Sequence, residues 1–247
     1  MLTTIIKTKN NEDTLSETLE SVKDLGEIIV VDEHSTDDTI LLAKEYKAQI
    51  IFSAPNEFNS AFRSALTQAQ NEWVLVLEGD EIIPQKLGNS ILNYIENPKK
   101  NKNALLIPFK YYYLNSEIKA LRGRFLRVFK KENAKLINNY SIELKPYKTK
   151  INKLKGSLKL EKDCILKFEK NDIFKIFQNM LDKLILQSKS QNLKGRKIFI
   201  APFLKFLKIY FLKGALLNGR RGFIISARIA IEEFIKRTYI LEKSIKE

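Results

Sequence analysis

The sequence predicts an α/β fold, a mostly parallel sheet with flanking helices, followed by a helical C-terminal region. Three observations predict it. Short apolar runs of strand length alternate with stretches of helical periodicity through the first part of the chain. The connections between them are short, as right-handed crossovers between parallel strands require. From Asp172 onward the pattern turns helical to the end, with a break at Asn192 to Lys197. The expected division is 1–165 for the α/β domain and 166–247 for the helical region.

Leu2 to Thr8 is a β-prone run, and after the polar K-N-N-E-D a helical face carries Leu15, Leu19 and Val22. Glu27 to Asp32 forms the second strand, I-I-V-V closing on a carboxylate. Ser35-Thr36-Asp37-Asp38 then caps a helix with Ile40, Leu41, Ala43 and Lys44. Ala48 to Phe52 is the third strand. Phe58 to Gln70 is a helix whose buried stripe is Phe62, Ala65, Leu66 and Ala69, at i, i+3, i+4 and i+7. Trp73 to Leu77 is continuous in apolar residues, as a central strand covered on both faces should be. Lys86 to Glu96 is helical, 97–103 is a charged loop, and Ala104 to Tyr113 and Arg124 to Lys130 read as strands.

The segment Pro202 to Leu217 has near-spanning length, but Lys205, Lys208 and Lys213 would each cost about 3 kcal/mol at a bilayer centre, so it should not span. Phe203, Phe206, Leu207, Tyr210 and Phe211 instead share a helical face. Such a face either lies in a membrane interface or packs on the α/β core. Asn218 to Gly222 reads as a turn, and Phe223 to Glu242 as the final helix.

With 247 residues and 44% apolar content the chain can bury a substantial core, and its formal charge of +14 points to anionic partners: nucleotides, nucleic acid or an anionic lipid surface. One cysteine, Cys164, and one histidine, His34, exclude an internal disulfide and a Cys/His zinc site. The simplest compartment is the reducing cytosol, and the N-terminal apolar stretch is too short for a signal peptide. His34 falls in a capping turn and is read as structural.

The stretch E-W-V-L-V-L-E-G-D-E at 72–81 holds the chemistry. Glu78, Asp80 and Glu81 follow a central strand, where ligands of open α/β sheets gather. Oxygen ligands there suit Mg²⁺ or Mn²⁺ bound together with substrate phosphates, although a solvated turn or a helix cap can have the same composition. The first βα loop, Lys7 to Glu12, has no glycine, which excludes a dinucleotide fingerprint and a P-loop and weighs against a sugar-phosphate nucleotidyltransferase.

Ordered blocks of the sequence resemble glycosyltransferase family 2, of the lipopolysaccharide-core β-glucosyltransferase type. Thr8-Lys9-Asn10-Asn11-Glu12 resembles that group's T-K-N-E, and V-V-D-E-H-S-T-D-D-T at 30–39 is similar to V-V-D-S-G-S-T-D-x-T. R-S-A-L at 63–66 and E-W-V-L-V-L-E-G-D-E match R-N-x-A and D-W-V-L-x-L-D-A-D-E in order and spacing. Near the C-terminus Y-F-L-K-G-A-L-L-N-G at 210–219 looks like Y-x-x-K-G-F-L-D-G. There are departures. Glu78 stands for the first metal-motif aspartate, the V-H-E motif appears as Ser141-Ile142-Glu143, and H-Y-S is replaced near Lys167-Phe168-Glu169.

The resemblance implies a GT-A fold and an inverting, metal-dependent hexosyl transfer from a nucleotide-diphosphate sugar, a UDP-sugar, to a lipopolysaccharide or lipooligosaccharide core or similar glycolipid or saccharide acceptor. By the same resemblance Asp80 and Glu78 hold Mg²⁺ or Mn²⁺ on the diphosphate, and Asp32, with Thr8, Asn10 and Glu12 beside it, meets the nucleoside. Arg63 and Arg127 share the phosphate charge, with an ordinary surface arginine as the alternative, and Glu143 is the general base. The helical region would dock peripherally on the anionic inner face of the cytoplasmic membrane. Two other classes compete: a degenerate member that binds nucleotide sugar without catalysis, and a basic nucleic-acid-binding protein. The second would need basic residues interleaved with exposed aromatics, whereas Lys110 to Tyr113 reads as strand.

Overall fold

The computed structural model describes residues 1–54, 58–98, 103–133, 157–159, 164–169 and 196–246. These residues divide into two units, Met1–Lys110 with Arg122–Phe168, and Tyr111–Leu121 with Glu169–Glu247. The expected base, Glu143, lies outside the described residues.

In the first unit the opening strands form as expected: β1 (Leu2–Thr8), β2 (Gly26–Asp32), β3 (Gln49–Phe52) and β4 (Trp73–Glu78). Between them run α1 (Leu15–Val22), α2 (Thr39–Glu45) and α3 (Phe58–Gln68), and after β4 comes α4 (Gln85–Glu96). β1 lies between β2 and β4, parallel to both, and β3 extends the sheet beyond β2.

The side chains of β4 show why the sheet is buried on both faces. Trp73, Leu75 and Leu77 point into one core with Leu15, Leu19, Leu87 and Ile91 of α1 and α4. Val74 and Val76 point into the other with Phe62, Ala65 and Leu66 of α3. Alternation in a run without polar residues gives the strand two apolar faces, and helices cover both.

The sheet departs from the expected parallel pattern beyond β4. β8 (Gly123–Lys130) pairs antiparallel with β4 and with β6 (Ala104–Tyr113), while β9 (Ser157–Lys159) runs parallel to β6. Two short strands close the path: β5 (Glu81–Ile82) and β10 (Ile165–Glu169), paired antiparallel with Lys167 opposite Glu81. That register brings a lysine from late in the chain to the acidic end of β4.

In the second unit the last residues of β6 turn through Leu114 and Asn115 to pair with β7 (Ser116–Glu117). The helices are α5 (Arg196–Leu207), extended by a π turn over Lys208–Leu212, and α6 (Gly219–Lys246). Asn218 to Gly222 was expected to be a turn, but the long helix already starts at Gly219. The reversal is made earlier, at Gly214 with φ 77° and the 3₁₀ turn Ala215–Asn218. Gly222 then lies so close to the Ala215 carbonyl that a Cβ would sit 1.8 Å from its oxygen. The amide of Asn218 donates to the Glu117 carbonyl at 2.8 Å, and Arg228, buried, donates to the Tyr111 hydroxyl at 2.9 Å.

Candidate active site

Three parallel strands end side by side, and their loops are tied together by side chains that the sequence placed there. Thr8 at the end of β1 donates to Asp32 Oδ1 at 2.9 Å. The same carboxylate accepts from the Ser35 hydroxyl and, through Oδ2, from the Ser35 amide at 2.8 Å. Asp32 is fully buried and acts as the knot of this edge. Asn10, at φ 51°, receives the Thr36 amide on Oδ1 at 2.8 Å while its own amide donates to Ser35 Oγ at 2.8 Å. Glu12 accepts from the Asp38 amide at 3.2 Å and its amide donates to Asp37 at 3.1 Å.

The loop after β4 joins the same network. Thr14 donates to the Gly79 carbonyl at 2.7 Å, and a Cβ on Gly79 would stand 2.9 Å from Asn11 Oδ1 and 3.0 Å from Thr8 Cγ2. Glycine here allows the Glu78-Gly79-Asp80 corner a close approach to the side chains of the β1 loop. At the outer edge His34, with φ 54°, stacks on Phe52 with ring centroids 6.2 Å apart, and both are exposed.

The carboxylates after β4 split into two environments. Glu81 is buried, accepts from Arg127 Nη2 at 2.7 Å and receives the Glu78 amide at 3.0 Å. Arg127 also donates to the Val76 carbonyl at 3.3 Å and lies over the Phe125 ring. Arg127 was expected to share the charge of a bound diphosphate; at 1% exposure its guanidinium instead pins Glu81 beneath the surface. Burial pushes the Glu81 carboxyl up, to about 7, against the pull of Arg127 and then Lys167. Arg63 stands on the exposed face of α3.

Glu78 and Asp80 are brought together, and both are bonded by the ammonium of Lys167, at 3.0 Å to Asp80 Oδ1 and in close contact with Glu78 Oε2. Burial would lower the Lys167 pKa, but the carboxylates of Asp80, Glu78 and Glu81 outweigh it and hold the amine above its ordinary value. This contact was not foreseen, because K-F-E at 167–169 was read only as a replacement of H-Y-S. The pair was expected to hold Mg²⁺ or Mn²⁺. A divalent ion in that seat would have to displace the ammonium, because the two like charges would compete for the same carboxylates. As it stands the Lys167 ammonium fills the seat between the two carboxylates, and among the described residues no group of three or more His, Cys, Asp or Glu is placed to hold a metal.

Residues 3–153 match the model of glycosyl transferase family 2, well over half of the chain. The chain belongs to glycosyl transferase family 2. Among curated relatives, an uncharacterized glycosyltransferase of Rickettsia typhi is 25% identical across 99% of this chain and 88% of its own length. Another, of Rickettsia prowazekii, is 36% identical over 91 residues, 36% of this chain and 31% of that protein. Among solved structures, TarS 1–349 of S. aureus superposes with a TM-score of 0.51 at 17% identity, covering 95% of this chain and 91% of that one. The same TarS fragment in complex with UDP-GlcNAc gives 0.52 at 15% identity. The family 2 chain thus has a GT-A-like α/β fold with a mixed sheet, and it is a glycosyltransferase. Within that fold Thr8, Asn10, Asp32, Glu78 and Asp80 gather at the ends of β1, β2 and β4.

Proposed function

We propose that this glycosyltransferase moves a hexose, with inversion, from a UDP-sugar to a lipopolysaccharide or lipooligosaccharide core or a similar glycolipid. The observation that carries the reading is the carboxylate corner Glu78-Gly79-Asp80, seated beside the Thr8–Asp32–Ser35 knot at the C-terminal ends of parallel strands in a family 2 chain. The UDP-GlcNAc held by TarS supports uridine as the nucleoside.

In this reading the knot fixes the β1 and β2 loops for the nucleoside, and the exposed pair His34 and Phe52 offers the base a flat surface for stacking. Asn10 and Glu12 brace the same loops, and Arg63 faces the phosphates from α3. Glu143 is assigned the proton of the acceptor hydroxyl. The expected Mg²⁺ or Mn²⁺ enters only as an ion that would have to displace Lys167. A melting-temperature screen of UDP, GDP and CDP sugars tests the donor: UDP-sugars should raise the midpoint, and a rise confined to GDP or CDP sugars would refute uridine.

The second unit supplies the membrane contact in this reading. Phe206 packs on Tyr210 and Phe223, and Lys205 bonds Glu233 at 2.8 Å, so part of the expected apolar face is internal to the helices. Phe203 and Phe211 remain 62% and 55% exposed, with Leu212 and Leu217 beyond 80%. No helix among the described residues is long and apolar enough to cross a membrane. An exposed apolar group beside Lys208, Arg220 and Arg221 suits an anionic interface, worth about 1 kcal/mol per basic residue near the surface. Flotation with phosphatidylglycerol vesicles should carry the protein, and serine at Phe203 and Phe211 should release it with its melt unchanged. A wild-type protein that stays at the bottom of the gradient at low salt refutes the contact.

A further inference from the structure

We propose that Lys167 is the cation that meets the leaving diphosphate: its ammonium, seated between Glu78 and Asp80, bonds a β-phosphate oxygen of the donor and frees binding and transfer from dependence on a divalent ion. The inference rests on the nucleotide-sugar reading above. Its ground is geometric. β10 pairs with β5 so that Lys167 lies opposite Glu81, which turns the lysine toward the end of β4. Its side chain is 20% exposed, with Glu78 at 34% and Asp80 at 23%, so a ligand reaches this cluster while Glu81 and Arg127 stay covered.

An ammonium has three N–H donors. Two of them go to Glu78 and Asp80, and the third bonds none of the described residues. A lysine is a compact charge on a flexible stem, which can hold its carboxylate contacts and still follow a phosphate oxygen through the reaction. The three charges together are one net negative, so the ammonium neutralises a diphosphate less fully than a divalent ion would. The chain's overall +14 supplies long-range attraction for the donor.

In the transfer, a lone pair of the acceptor oxygen forms the new bond to the anomeric carbon. The bond from that carbon to the β-phosphate oxygen breaks, its electron pair staying on that oxygen, and the acceptor proton passes to the base assigned to Glu143. Lys167 remains protonated throughout and stabilises the charge that develops on the departing oxygen, the electrostatic role that a metal fills elsewhere.

Calorimetric titration of UDP into the full chain, in chelator and in Mn²⁺, decides the matter. Wild-type affinity should agree between the two conditions within about threefold. Lys167→Met should lose about tenfold or more in chelator, as expected for one charge-assisted hydrogen bond, and should gain a dependence on Mn²⁺ because its carboxylates are released. Lys167→Arg should keep most of the chelator affinity. A wild-type protein that binds UDP more than about tenfold tighter with Mn²⁺ overturns the proposal, whatever the variants do. No UDP binding in either condition overturns the nucleotide-sugar reading as well, so the two failures are told apart.

Discussion

Asp80 and Glu81 are neighbours in sequence, and each faces a cation delivered by a later strand, Lys167 from β10 and Arg127 from β8. The second pair is sealed, with side chains 1% and 2% exposed, and the guanidinium fork is fixed on Glu81 and on the Val76 carbonyl. The first pair is partly exposed, at 20% and 23%, and uses a single flexible charge. Opposite charges meet in both, but burial makes one a brace inside the sheet and leaves the other partly exposed. Charge at this strand end is sorted by depth.

The sealed pair should respond most strongly to mutation. Arg127→Met leaves a buried carboxylate without its partner and should cost about 3–5 kcal/mol in urea denaturation, whereas adding Glu81→Leu should restore much of that loss. If the double variant is no more stable than the single one, the brace is not electrostatic. A smaller effect is expected at the neighbouring knot. Ser35→Ala removes both a hydroxyl donor to buried Asp32 and part of the anchor for Asn10, and should cost about 2 kcal/mol by the same measurement. The smallest change belongs to the open pair: Lys167→Met should alter stability by less than about 1 kcal/mol, as partly exposed ion pairs contribute little. A loss equal to that of Arg127→Met would erase the distinction between the two.

The opening strands and their helices could be read from the sequence because each is specified by its own apolar period. Leu15, Leu19 and Val22 mark α1 without reference to anything distant, and Trp73 to Leu77 is apolar on both faces. Thr8, Asn10, Asp32, Glu78 and Asp80 were likewise legible, as residues at strand ends in an ordered set of blocks. What escaped depends on pairing across the chain. β5 and β7 are two residues long and have no period to detect. Lys167 becomes part of the carboxylate corner only through the register of β10 on β5, and Arg127 could not be told from a surface arginine until β8 was seen against β4. Alternation in I-L-K-F-E puts Lys167 on the same face as Ile165, and a lysine interrupting that face was the available hint. The break expected at Asn218 to Gly222 was misplaced because its glycines read as a turn, whereas Gly222 serves a close backbone approach inside α6.

The proposed work of the corner formed by Glu78, Asp80 and Lys167 is to promote cleavage of the bond between a sugar and UDP. Phosphorus NMR of UDP-glucose, UDP-galactose and UDP-GlcNAc, each incubated with the protein and a bacterial glycolipid extract, follows that bond directly. The diphosphodiester signals of at least one donor should give way to those of UDP, and Asp80→Asn should abolish the change while retaining the wild-type melt. Unchanged spectra for every donor, with Mn²⁺ and with chelator, would contradict it.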